Sequence, residues 1–181
     1  MSEPAFPPLT RQERLRRAII LCCAALRNFA YYRAGWEGEE RFFTGQLQAT
    51  VNSNFLDIGV IDWCKLFGKD NEKHHWRQIV KDDDKQLAFN RSLHSCLKCD
   101  PTQWEELRNG MLAYRDKFLS HLDNQRGMLI PKLELPITTA LFYHQFLMIN
   151  ENDGRTYGTL PCDARAYYEQ CHAEGLKFYR R

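Results

Sequence analysis

Several common signatures are missing from this 181-residue chain. Neither sign of charge dominates: 25 Lys and Arg stand against 23 Asp and Glu, a formal net charge of +2. That balance excludes the strongly basic signature of a dedicated histone-like binder, so any nucleic-acid contact must come from a local patch. No apolar run is long enough to span a bilayer. The longest imitation, Ala18 to Leu26 behind Arg14, Arg16 and Arg17, is short and is interrupted by Arg27 and Asn28. No Gly-rich phosphate loop, nucleophile elbow or His-Glu-x-x-His run occurs, which removes the commonest motif-marked kinases, hydrolases and metalloproteases. Seven cysteines, an odd number scattered through the chain, do not form a disulfide framework. A reduced, cytoplasmic protein without a membrane span is the expectation.

What is present is helical periodicity. Residues 1–9 hold three prolines and read as a flexible N-terminal tail, leaving 10–181 as one helical domain. From Thr10, the residues Leu15, Ile19, Cys22, Leu26 and Phe29 recur at steps of three and four along one helix face. Gly35 and Gly38 separate this helix from a second, whose core side is expected at Leu47, Val51, Phe55 and Ile58. That helix becomes apolar nearly all round from Ile61 to Phe67. Gly68 is read as its C-cap, a place where positive φ costs glycine little. A charged connector occupies 69–85 around a short apolar element near Trp76 to Val80. A helix follows over Lys85 to Leu97. Asp100-Pro101-Thr102-Gln103 then supplies an N-cap, a first-turn proline and a capping-box partner for a helix running to about Leu122. Pro131 and Pro136 mark an extended connector. Two last helices are predicted over 137–149 and 161–178, either side of the Gly154/Gly158 loop. The prediction is an all-α, single-domain bundle of four to five main helices.

The fourth of these helices carries the residues of greatest chemical interest. Its core stripe is read as Trp104, Leu107, Met111, Phe118 and Leu122, and Arg115 falls on that stripe. A guanidinium on a buried face needs a carboxylate, a phosphate or water beside it. The second helix has a matching oddity in Asp62, so one reading is a structural ion pair between Asp62 and Arg115. His121 lies on a different row with Tyr114 and Lys117, expected to face solvent or another subunit. There it is either a solvated or capping group, or a catalyst if it shares a cleft with Arg115.

The run Tyr114-Arg115-Asp116-Lys117-Phe118-Leu119-Ser120-His121 resembles the Arg–His motif of HEPN-like domains, especially the branch associated with abortive infection. In that branch a polar residue often follows the Arg and a small residue often precedes the His, as Asp116 and Ser120 do here. The resemblance implies a HEPN-like helical bundle and, in many members, a metal-independent endoribonuclease that works as a homodimer. It implies no cofactor and no metal. By this analogy His121 acts on the ribose 2′-hydroxyl as general base or acid, Arg115 stabilises charge on the scissile phosphate, and Asp116 orients one of them. Lys117, Ser120 and Arg126 are the corresponding substrate-binding candidates. The setting implied is a prokaryotic defence or toxin effector with a cognate antitoxin. The alternative is a non-catalytic helical module that binds a nucleotide, RNA or a partner protein.

Four weaker signals read mainly as structural. Cys96-Leu97-Lys98-Cys99 with His94 has zinc-knuckle spacing but no second close pair, so free thiols are expected. His74-His75-Trp76 is read as surface loop, and Asp82-Asp83-Asp84 as a solvated turn without calcium-loop spacing. The aromatic groups around Phe29 to Tyr32, Tyr167-Tyr168 and Phe178-Tyr179 fit core packing, with some left for a dimer interface.

Overall fold

Five of the helices start where a side chain accepts from their first amides, at Thr10, His75, Asp82, Asp100 and Asp163. In a computed structural model describing residues 8–116, 130–151 and 158–180, α1 (Arg11–Ala34) opens on a complete capping box. The Thr10 hydroxyl accepts from the Glu13 amide at 3.2 Å, and the Glu13 carboxylate accepts from the Thr10 amide at 2.8 Å. A two-strand hairpin follows, β1 (Trp36–Glu37) and β2 (Glu40–Arg41), turning at Gly38 with φ of +61°. It is the one β element among the described residues, and the sequence reading did not anticipate it. Helix α2 (Gln46–Phe67) leads through a polar loop to the single turn α3 (Trp76–Ile79), then to α4 (Asp83–Leu97) and α5 (Pro101–Tyr114). Helix α6 (Glu134–Phe146) ends in a π-helical turn, Leu147–Glu151, and α7 (Ala164–Tyr179) closes the described chain. The class is all-α. No helix among the described residues is long and apolar enough to cross a membrane.

Helix α1 is central and lies against α2, α6 and α7. Its predicted face is fully inside: Leu15, Ile19, Cys22, Leu26 and Phe29 are at most 2% exposed. The core continues through a chain of aromatic contacts. Trp63, Phe67 and Trp104 join α2 to α5, and Phe67 meets Tyr143 of α6 edge-on at 5.4 Å. Trp76 stacks on Phe89 at 4.5 Å, tying α3 to α4.

The buried face of α2 is not the predicted one. Leu47 and Ile58 are 75% and 47% exposed, while Asn52, Leu56, Gly59, Val60 and Trp63 face inward. Close approach decides between these two stripes. A Cβ on Gly59 would sit 2.6 Å from the Phe29 ring, so the glycine lets that ring pack directly on the α2 backbone. Two turns earlier, buried Asn52 donates to the Tyr32 carbonyl at 2.9 Å and to the Tyr179 hydroxyl at 3.0 Å, and accepts from Trp36 Nε1 at 3.0 Å. Its burial is therefore compensated, and it fixes α1, α2, α7 and the hairpin together.

Smaller expectations change too. Gly68 does end α2, but with φ of −73°. What demands glycine there is space, since a Cβ would lie 2.4 Å from the Cys64 carbonyl oxygen. Asp82 is the N-cap of α4, accepting from the Lys85 amide at 3.1 Å, and Asp83 and Asp84 fill the first helical turn, where the helix dipole favours carboxylates. Helix α6 begins at Glu134, with Pro136 inside its first turn, where no amide donor is needed. Glu151, 3% exposed, is held by Arg11 and, at 3.2 Å, by Lys85.

Candidate functional site

The loop 68–75 between α2 and α3 organises the polar chemistry of this region. It lies beyond the end of α2 and against α5, and its two carboxylates each collect cations from other elements. At one end, Glu72 lies 3.7 Å from Arg115 Nη1. Asp116 Oδ1 accepts from both Nε and Nη2 of Arg115 at 2.7 Å, while its other oxygen lies 3.5 Å from Lys69 Nζ. Arg115 and Asp116 directly follow α5 in π-helical backbone, and the Arg115 side chain is only 16% exposed. The hydrogen bond to Asp116 raises the Arg115 pKa, and the same bond holds the Asp116 carboxyl below its ordinary range. Beneath them, burial pushes the Cys64 thiol up to about 12, so it is protonated and no nucleophile at neutral pH.

The expected Asp62–Arg115 pair is replaced by two others. Asp62 is 8% exposed and is bridged by Lys65 of its own helix at 2.8 Å. Arg115 is taken instead by its neighbour Asp116 and by Glu72, because it stands at the end of α5 beside the loop. Tyr114 also departs from expectation. It is not on a solvated row but 3% exposed, with its hydroxyl donating to Asp57 at 2.7 Å. Of the remaining candidates, Lys117, Ser120, His121 and Arg126 lie outside the described residues, as do Phe118 and Leu122 of the predicted core stripe.

At the other end of the loop, Asp70 is the hub. Arg77 Nη1 lies 2.6 Å from one of its oxygens, and Arg108 Nη1 lies 3.2 Å from the other. Arg108 also bonds Glu105 at 2.9 Å and the Gly68 carbonyl at 3.0 Å, an acceptor left over at the end of α2. His75, read from sequence as surface, is 1% exposed. Its Nδ1 caps α3 by accepting from the Arg77 amide at 3.4 Å, and its Nε2 lies 3.5 Å from Asp70. These groups, with Asn90 and His94, line a cleft of about 270 Å³. The sequence signal for this loop was present in the dense alternation of Lys, Asp and Glu running straight into an aromatic anchor, Trp76, itself 4% exposed.

The zinc-knuckle spacing brings only Cys99 and His94 together, with Sγ and Nδ1 3.9 Å apart. Lys98 between the cysteines adopts φ of +51° and ends α4, and Cys96 is exposed. No group of three or more metal-ligating side chains occurs among the described residues. Compared with protein-family models, curated proteins and solved structures, the chain matches none.

Proposed function

We propose that the chain is a HEPN-like, metal-independent endoribonuclease acting as a cytoplasmic defence or toxin effector, with two copies meeting to complete the site. In this reading His121 takes the proton from a ribose 2′-hydroxyl, the freed oxygen attacks the adjacent phosphorus, and the 5′-oxygen leaves with a proton returned by a general acid. Arg115 stabilises the charge that builds on the phosphate. Lys117, Ser120 and Arg126 hold neighbouring parts of the strand.

The observation that supports this reading is the Arg115–Asp116 pair. Asp116 grips the guanidinium along its Nε–Nη2 side, the positioning role that the motif resemblance assigns to the residue after the arginine. A guanidinium oriented in this way is set up for planar recognition of an oxyanion.

A second reading, a non-catalytic module for a nucleotide, RNA or partner protein, is favoured by Glu72. That carboxylate, 3.7 Å from Arg115 Nη1, competes with any incoming phosphate. Purified wild type, Arg115→Ala and His121→Ala, matched for helical content by circular dichroism, are incubated with total RNA and transfer RNA in EDTA. Cleavage by the wild type alone is expected. Identical traces from wild type and His121→Ala remove His121 as the catalyst, and absence of cutting by all three gives the binding module precedence.

A further inference from the structure

Helices α4 and α5 are joined by the short turn 98–100, yet α4 lies against α6 and α5 against α2, and the cleft of about 270 Å³ opens between them. Its four charged side chains form one alternating chain: Arg77 donates to Asp70, Asp70 lies against Arg108, and Arg108 donates to Glu105. Their charges sum to zero, so the cleft is matched to a neutral ligand rather than to an ion. The inner members are fully engaged. Both Asp70 oxygens and all three Arg108 nitrogens have partners. The outer members are not. Among the described residues, Arg77 uses only Nη1 and keeps Nε and Nη2 open, while Glu105 uses only Oε2 and keeps Oε1 open. On the α4 wall stand Asn90 and His94, one helical turn apart. His94 turns Nδ1 toward the Cys99 sulfur at 3.9 Å, which leaves Nε2. Asn90 is half-buried and makes no hydrogen bond among the described residues, although asparagine within a helix costs stability relative to alanine.

We propose that this cleft binds a guanine base, with the open edge of Arg77 donating to its O6 and N7, Glu105 Oε1 accepting from its 2-amino group and the Asn90 amide oxygen accepting from its N1–H. Guanine is the common base that sets two adjacent acceptors beside two adjacent donors. It therefore matches a cleft with an open guanidinium edge at one end of the charge chain, an open carboxylate oxygen at the other and an uncommitted amide on the facing helix. The size agrees, since pockets for larger ligands begin at about 300 Å³ and this one suits a single nucleoside. Phe67 and Trp104 add apolar wall. A free guanosine and a guanine within a single strand present the same edges. The site stands apart from Arg115, and the proposal holds whether or not the chain cleaves RNA.

The test is equilibrium dialysis of the full chain in EDTA against guanosine, inosine, adenosine and a 2′-deoxy trinucleotide with a central guanine. Inosine lacks only the 2-amino group and should bind about tenfold more weakly than guanosine. Adenosine, with a donor where guanine has O6, should bind about 100-fold more weakly. E105A should bind guanosine and inosine alike. N90A should weaken both about tenfold while its melting temperature stays level or rises, which separates a ligand role from a structural one. Tighter binding of the trinucleotide than of guanosine identifies a base within a strand; equal or weaker binding identifies the free nucleoside. Equal affinity for guanosine and adenosine, guanosine affinity unchanged in N90A and E105A, or no binding of guanosine at its solubility limit would overturn the proposal. So would preference for a dipeptide, whose carboxylate and ammonium also fit the two ends of the charge chain. The nuclease reading fails separately. Guanosine binding without cleavage leaves this site in place, and cleavage without guanosine binding overturns this site alone.

Discussion

His75 provides a direct test of how the 68–75 loop is built. The ring is 1% exposed, caps α3 through Nδ1 and faces Asp70 through Nε2. Burial lowers its pKa from the ordinary 6.5 to about 4; Arg77 and Arg108 push the same way, and only Asp70 and the Phe67 carbonyl oppose them. The sign of the effect follows. Above pH 6.5 neither the folded nor the unfolded chain protonates this ring, and His75 leaves stability unchanged. As pH falls toward 4, the unfolded chain takes up the proton and the folded chain does not, so stability drops. At about 1.4 kcal/mol per unit of separation, the loss is about 2 kcal/mol by pH 5 and approaches 3 kcal/mol near pH 4.

The assay is urea unfolding of wild type and His75→Asn at neutral pH and at about pH 5. Asparagine keeps a side-chain oxygen to cap α3 and cannot titrate. Burial also lowers the pKa values of His74, His144 and His172, but these act in both proteins and cancel in the difference. Wild type should therefore lose about 2 kcal/mol more than the variant on acidification. Equal losses, or an NMR titration of the His75 ring centred near 6.5, would refute the buried, neutral assignment.

Two further expectations concern the packing of α1. Asn52→Ala removes three hydrogen bonds at about 1 kcal/mol each, and should lower the melting temperature by about 6–12 °C; an unchanged transition would show that the network carries no stability. Gly175→Ala places a Cβ 2.6 Å from that of Ala34 and 3.3 Å from the Tyr31 ring, forcing α7 off α1 at a cost of about 1–3 kcal/mol. Urea unfolding reads this directly, and a midpoint equal to wild type would refute so close an approach.

The start of α5 was legible because its determinants are local. Asp100-Pro101 with Gln103 carry the whole capping arrangement within four residues, and the box forms; the Thr10–Glu13 box that opens α1 is equally local, although the sequence reading did not name it. The α1 face was legible because it has a single apolar stripe. Helix α2 has two, and the choice between them depends on partners distant in sequence. Gly59 meets Phe29, and Asn52 meets Trp36, Tyr32 and Tyr179. A pattern count rewards Leu47 and Ile58 and penalises a polar asparagine, although hydrogen bonding reverses that ranking once Asn52 is buried. Tyr114 was misplaced for the same reason: its polar tip suggested solvent, yet Asp57 satisfies it inside.

The charged connector shows why a balanced net charge is a poor guide to a site. Residues 69–75 carry two lysines, two carboxylates and two histidines, a composition that reads as a solvated loop. Folding sorts them. Asp70 neutralises Arg77 and Arg108 around a buried imidazole, and Glu72 and Asp116 share Arg115. Because α5 supplies Arg108 and the turn that follows it supplies Arg115, no local window of sequence contains these pairings.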